Sequence, residues 1–359
     1  MNFLNDIRKT DFSIRVAHPV HSHHSSVKAS SRSLRLCLSG QTGFRFSFLL
    51  ACMAVLSGCH EGNYRVAVIP RTTALTIWEA VHAGAEFAAR PAGIQVYWNA
   101  PTSEDDIQQQ AALVDRVVDE HYQGLVLAPD QPLALMSPVR RAIAQGVHTV
   151  VIASPLSIPA QKNLAYIVND DEAAGRIAAL RLGQVLSGHG SVAVVGINPE
   201  SLSDLTILHA FEAALKEHFP DITITDLRTG THNVTEAQQI ADEVLATHSG
   251  LGAIFSLSAM ASNGAVTALE TRGLAGKVKL IGFEQSVELG NEVRAGTMDS
   301  LIAEDTYEMG HRALSMLAQY RSSSLPGQEI RLQPSLLTRE NIDSPLARRL
   351  INRDWGQKP

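Results

Sequence analysis

Cysteine is almost missing from this chain: 3 in 359 residues, Cys37, Cys52 and Cys59, all near the amino end. Everything after Cys59 therefore has no disulfide framework, no thiolate metal site and no thiol nucleophile. Charge is thin as well, at 18% of residues, with a net charge of −6 and a pI near 6.2. No basic field draws such a molecule to nucleic acid or to an anionic bilayer surface. Catalytic signatures are lacking too. There is no Walker loop, no paired-His metal helix and no nucleophile elbow. Gly188-His189-Gly190 precedes its strand, whereas a dinucleotide loop has to follow one for its helix N-terminus to meet the phosphates. Enzyme readings are disfavoured, and no cofactor is expected.

No apolar run is long enough to stay in a bilayer as a helix, but a short one stands out. Phe46 to Leu56 follows Arg45 and leads through Ser57-Gly58 to Cys59, which is a positive flank, a brief h-region and a small-residue cleavage site. Leu56-Ser57-Gly58-Cys59 resembles a bacterial lipobox. That resemblance implies removal of residues 1–58, acylation of Cys59 and a cell-envelope location, lipid-anchored on the periplasmic side, since several acyl chains anchor stably where one does not. The segment before the h-region is long for a leader, which places the true translation start downstream of Met1. His18, His21, His23 and His24 lie in that segment without acidic or cysteine companions and read as a solvated tail, not a metal site.

After the anchor the chain has roughly 300 residues, enough for two lobes with cores of their own. Hydrophobic content of 45% is ordinary for a globular protein. From Tyr64 short apolar runs alternate with helical periods. Arg65 to Ile69, Ile94 to Trp98, Gly124 to Ala128 and Val147 to Ala153 read as strands, with amphipathic stretches between them. The alternation resumes at Ala165 to Val168 and continues through Ser191 to Ile197, Ile222 to Leu227, Ala253 to Leu257, Lys279 to Phe283 and Leu301 to Ala303. It closes with one extended stretch, Glu329 to Leu337. Thr235 with Gln238 reads as a capping box, and Asn233 as a helix cap. Strands separated by helices require right-handed crossovers and parallel sheets, so the fold class is α/β, two doubly wound parallel-sheet lobes.

Four stretches then carry a family resemblance. Trp78-Glu79-Ala80-Val81-His82-Ala83-Gly84-Ala85 resembles the first-helix motif of the type 1 periplasmic binding proteins, the ribose and galactose receptor group. Gly124 to Asp130 with Gly146-Val147-His148-Thr149-Val150-Val151 resembles their strand, helix, strand unit. Ile281-Gly282-Phe283-Glu284 resembles the late Gly-Phe-Asp turn, and Leu301-Ile302-Ala303-Glu304-Asp305 through Met309-Gly310 the segment that crosses back between lobes. The resemblance spans Tyr64 to about Glu340. It implies a three-segment hinge, with crossings near Val168 to Asp170, Glu304 to Asp305 and Gln328 to Leu332. Lobe one is then 64–168 plus 305–329, and lobe two 169–304 plus 330–340. Residues 341–359 are left as a polar tail with no clear lobe to join.

By the same resemblance a small ligand lies between the lobes at the carboxyl ends of the strands and is buried by hinge closure. The residues that match are Arg71, Thr72 and Thr73 on the first loop, Trp78 as a stacking aromatic or a core side chain, and Asp170 as a ligand contact or a helix cap. Ser258 stands where the family often has an amide, Glu284 replaces the Asp after Gly-Phe, and Glu304 takes a polar crossing position. Departures are equally plain. The family's Asp-Arg pair is replaced by Ala153-Ser154-Pro155, and an expected Arg is absent near Asp204-Leu205-Thr206-Ile207-Leu208. Losing bidentate donors while gathering Asp170, Asp204, Glu284 and Glu304 points to a polyol, a modified sugar or a cationic ligand instead of the usual free pyranose. The expected partners are that carbohydrate-like solute, an ABC permease, and the membrane through the anchor, with the protein itself a monomer. Two other readings share the core: a ligand sensor docking on a membrane signalling protein, and a regulator like the lactose-repressor family. The regulator needs an N-terminal helix-turn-helix where this chain has a signal segment.

Overall fold

A computed structural model describes residues 64–73, 77–103, 106–230 and 233–351. The signal segment and Cys59 lie outside the described residues. Among the described residues, no helix is long and apolar enough to cross a membrane.

The first half builds one sheet. Strand β1 (Arg65–Ile69) is followed by helix α1 (Ile77–Ala92), β2 (Gln95–Trp98), α2 (Ile107–Asp119), β3 (Gly124–Leu127), α3 (Pro132–Ala144), β4 (His148–Ala153) and β5 (Leu164–Asn169). The second half builds another from α4 (Asp171–Val185), β6 (His189–Ile197), α5 (Leu202–His218), β7 (Asp221–Thr229), α6 (Val234–Thr247), β8 (Ala253–Ser256), α7 (Ala259–Thr271), β9 (Lys279–Phe283), α8 (Val287–Ala295) and β10 (Ser300–Ala303). The chain then runs through α9 (Thr306–Gln319), β11 (Glu329–Leu332), β12 (Ser335–Thr338) and α10 (Pro345–Ile351).

The sheet orders are β11-β5-β4-β3-β1-β2 and β12-β10-β9-β8-β6-β7. Every pairing is parallel except β10 with β12, which is antiparallel. Each sheet is covered on both faces by apolar clusters, as parallel sheets require. That burial explains why the strands read as unbroken runs such as Val66 to Ile69, all 0% exposed.

The sheets reverse order between β1 and β3 in the first lobe and between β6 and β8 in the second, the two switch points of a doubly wound fold. Three crossings join the lobes. After β5 the chain enters α4, which packs with α5; after β10 it returns to α9, which packs on α1 of the first lobe.

The third crossing corrects the sequence reading. Glu329 to Leu337 is not one extended stretch, and the chain does not cross near Gln328 to Leu332. β11 pairs with β5 in the first sheet and β12 with β10 in the second, so the chain crosses at Gln333-Pro334. Pro334 has no N–H to give a ladder, which is why the run divides there. The described part of the tail, up to Ile351, is corrected too, while residues 352–359 lie outside the described residues. α10 puts Ala347, Leu350 and Ile351 into the core of the second lobe, where Ile351 packs over Gly290. The helix beginning at Val234 is capped by Asn233, whose side chain accepts the Glu236 N–H at 2.9 Å, and not by Thr235.

Candidate functional site

The site is assembled where the strands end. Arg71 follows β1 at the first switch point. It donates from Nη2 to Ser154 Oγ at 2.6 Å and from Nε to the Pro129 carbonyl at 3.3 Å. Ser154 is 8% exposed and follows Ala153, whose φ of +65° is rare for a residue with a side chain. That turn at the end of β4 aims the serine at Arg71 instead of along the strand.

Trp78 is the second residue of α1 and is 6% exposed, packed in the first-lobe core. The core alternative thus describes its ring, but its indole N–H is buried with no hydrogen-bond partner, and the Arg71 guanidinium carbon stands 5.8 Å from the ring centre. Thr72 is buried at 1% exposure. Thr73 is exposed, with its backbone N–H on the Pro101 carbonyl at 3.0 Å.

The second lobe supplies acids. Asp204 lies in the first turn of α5, accepting the Asn198 N–H at 3.0 Å and the Ser201 hydroxyl at 2.7 Å. Burial pushes its carboxyl up against those bonds and the field of Arg71, which reaches it across the cleft. Glu284 follows β9 with φ +63° and accepts the Ala259 N–H at 2.9 Å. Ser258 spends its hydroxyl as the cap of α7, accepting the Ala261 N–H at 3.1 Å.

At the crossings, two acids divide the work. Asp170 caps α4, taking the Ala173 N–H at 2.9 Å on one oxygen and the Gln333 amide at 2.7 Å on the other. Burial raises its carboxyl, but those bonds with the fields of Arg176 and Arg331 outweigh it and hold the group below its usual range. Both oxygens therefore serve the hinge, tying the first crossing to the third. Asp305 plays the same part at the second crossing, capping α9 at the Glu308 N–H while taking Arg349 from α10.

Glu304 is 8% exposed. Its backbone is clamped by the Gln285 side chain, which accepts the Glu304 N–H at 3.0 Å and donates to its carbonyl at 2.6 Å. Its carboxyl is held well above the ordinary range, first by burial and then by Asp171 and Glu284, with Arg71 and the Asn169 amide pulling the other way.

Asp171, the first residue of α4, is the member that sequence reasoning missed. Burial, with Asp204 and Asp170 adding to it against a bond from Ser203, pushes its carboxyl up to about 6. Its Oδ1 is buried without a hydrogen-bond partner. The signal was present in Asn169-Asp170-Asp171: a helix start uses one acid as its cap, so the second is left for another role.

Arg71, Ser154, Asp171, Asp204, Glu284 and Glu304 thus face one another between the lobes, linked by hydrogen bonds or by mutual fields. A cavity of about 610 Å³ lies elsewhere, at the amino ends of the first sheet, lined by Tyr64, Tyr122, His148 and Arg321 among others. The convergent polar groups and perturbed acids are at the carboxyl ends, and open α/β sheets bind there. Among the described residues no cluster of His, Cys, Asp and Glu is arranged to hold a metal ion.

A family profile described as a periplasmic binding protein domain matches residues 66–323. The chain belongs to this family. Its crossings and paired sheets are those of the type 1, ribose-receptor-like kind, and it is a binding protein, not an enzyme. The D-allose-binding periplasmic protein of Escherichia coli K12 is 24% identical over 263 residues, covering 72% of this chain and 84% of that protein. The xylitol-binding protein of Mycolicibacterium smegmatis is 21% identical over 301 residues, covering 82% and 83%. Among solved structures, an ABC transporter solute-binding protein from Agrobacterium vitis with bound D-fucose superposes with a TM-score of 0.73 at 27% identity, covering 80% of this chain and 99% of that one.

Proposed function

We propose that this binding protein is a lipid-anchored receptor of the cell envelope that closes its lobes over a small sugar or sugar alcohol and delivers it to an ABC permease. One observation carries the reading. Polar groups from both lobes and from the crossings between them converge at the strand ends, so a ligand there touches every part that must move for the lobes to close. The relatives named for D-allose, xylitol and D-fucose support a polyhydroxyl ligand. Arg71, Ser154, Asp171, Asp204, Glu284 and Glu304 are the ligand contacts of this reading, and Asp170 holds the hinge. Acylated Cys59 is the membrane tether, and the protein acts as a monomer.

Thermal-shift screening against pentoses, hexoses and their alcohols tests it, since a ligand bound only by the folded state raises the melting temperature. At a hundredfold excess over Kd the gain is about 2.7 kcal/mol. A rise of several degrees with at least one member is expected; a flat response across the whole panel contradicts the reading. Incorporation of labelled palmitate, lost in Cys59→Ser, is the expected outcome for the tether.

A further inference from the structure

The charge balance of the cleft specifies more than a polyhydroxyl ligand. Glu304 is 8% exposed, and Gln285 holds its backbone at both the N–H and the carbonyl. Asp171 and Glu284 lie close enough to oppose its ionisation, and the field of Arg71 works against them. Arg71 is itself committed to Ser154 and the Pro129 carbonyl, and its field is shared with Asp204. Two further observations concern unpartnered buried atoms, one inside that acid cluster and one outside it. Asp171 Oδ1 is a buried acceptor with no donor, and the indole N–H of Trp78, a residue 6% exposed beside Arg71, is a buried donor with no acceptor. Buried polar atoms normally find partners. A solute with hydroxyls satisfies the indole, but the carboxylate side of the cleft asks for donors with positive charge.

An acidic sugar would set its carboxylate against three or four others. A neutral sugar would leave Glu304 either ionised beside an Arg71 that is already bonded elsewhere or carrying a proton, and neither uses the charge gathered there. A ligand ammonium supplies three charged donors at once, which is what Glu304 and Asp171 lack. Resting on the receptor reading above, we infer that the solute carries a protonated nitrogen, as an amino sugar or amino polyol does, and that this nitrogen lies against Glu304 and Asp171.

Calorimetric titration of the full chain at pH 7.5 tests this with matched pairs. The probes are 2-amino and 3-amino pentoses, hexoses and alditols and 6-amino hexoses, each beside its hydroxyl parent. At least one amine is expected to bind tenfold or more tightly than its parent. In Glu304→Gln and in Asp171→Asn, with thermal melts confirming that each folds, that preference should drop to threefold or less. Parents that bind as well as or better than their amines in every pair overturn the inference and leave the receptor reading standing. A preference that survives unchanged in both variants overturns the placement of the nitrogen. If no member of any pair binds, the inference and the receptor reading fall together.

Discussion

In the first sheet, β4 stands third from the β11 edge and ends on Ala153; in the second, β9 stands third from the β12 edge and leads into Glu284. Both residues take a left-handed backbone, φ +65° and +63°. The next strands, β5 and β10, lead into Asn169-Asp170 and Glu304-Asp305, and the aspartate of each pair caps the helix that follows. The scaffold therefore repeats at these strand ends, while the chemistry does not: Ala153 and Asn169 in the first lobe correspond to Glu284 and Glu304 in the second. At the switch points the contrast reverses, Pro70-Arg71 following β1 where Asn198-Pro199 follows β6. One lip of the cleft is cationic and hydroxylic, the other acidic. A repeated fold sets where side chains converge, and the residues at a few strand ends decide what they bind.

The shared part should be the most sensitive to change. In the first lobe α1 and α9 touch through Gly84 and Gly310; a Cβ on Gly310 would stand against the Val81 carbonyl oxygen. In the second, α4 and α5 touch through Gly175, whose added Cβ would meet the Ile207 carbonyl oxygen. Because the obstacle is backbone in both cases, the helices would have to part. Gly310→Val and Gly175→Val should each cost about 3 kcal/mol or more, measured by urea denaturation. A variant that loses less than about 1 kcal/mol would show that its helix pair slides freely and that the two lobes are not held alike.

Removing an acid from the second lip should act in the opposite direction. The Asp171 carboxyl is raised from 3.8 to about 6, so the folded state holds a proton that the unfolded state has released between those values. Stability then falls as pH rises from about 4 through 6, and the penalty is complete above that. Asp171→Asn should stabilise the ligand-free protein by up to about 3 kcal/mol at pH 7.5, with little gain at pH 4, while weakening ligand binding. Thermal melts across that range decide it. An equal gain at both ends of the range would mean the carboxyl titrates normally and is not a strained member of the acidic lip.

Much of this was legible beforehand, for definable reasons. Strands buried on both faces are continuous apolar runs, so nearly every central strand announced itself, from Val66 to Ile69 through Leu301 to Ala303. Edges are different. β11, Glu-Ile-Arg-Leu, is half exposed and pairs on one side only; its affiliation depends on β5, far away in sequence. The short helix α10 looks polar because only Ala347, Leu350 and Ile351 face the core. At the site, Arg71, Glu284 and Glu304 were visible because each follows a recognisable strand. Asp170 and Asp171 could not be told apart, since which of two neighbouring acids caps the helix depends on a side-chain turn and on Gln333 from the third crossing. Ser154 drew notice as a departure from the family pattern; the structure gives it a local partner in Arg71.

The smallest expected effect tests whether the two left-handed positions are used differently. Glu284 accepts strain and returns a carboxylate that faces Glu304 and holds the Ala259 N–H. Ala153 accepts the same strain and returns only a methyl group, so its value lies in turning Ser154 toward Arg71. Glycine adopts this backbone without the clash between Cβ and carbonyl, at the cost of a freer unfolded chain. Ala153→Gly should therefore stabilise the protein by about 0.5–1 kcal/mol and leave ligand affinity nearly unchanged, whereas Glu284→Gly should relieve the same strain and lose affinity at least tenfold. Calorimetric titration with any solute that binds, beside thermal melts, separates the two. If Ala153→Gly lost affinity as steeply as Glu284→Gly, the first lobe would be contributing more at that strand end than the orientation of one serine.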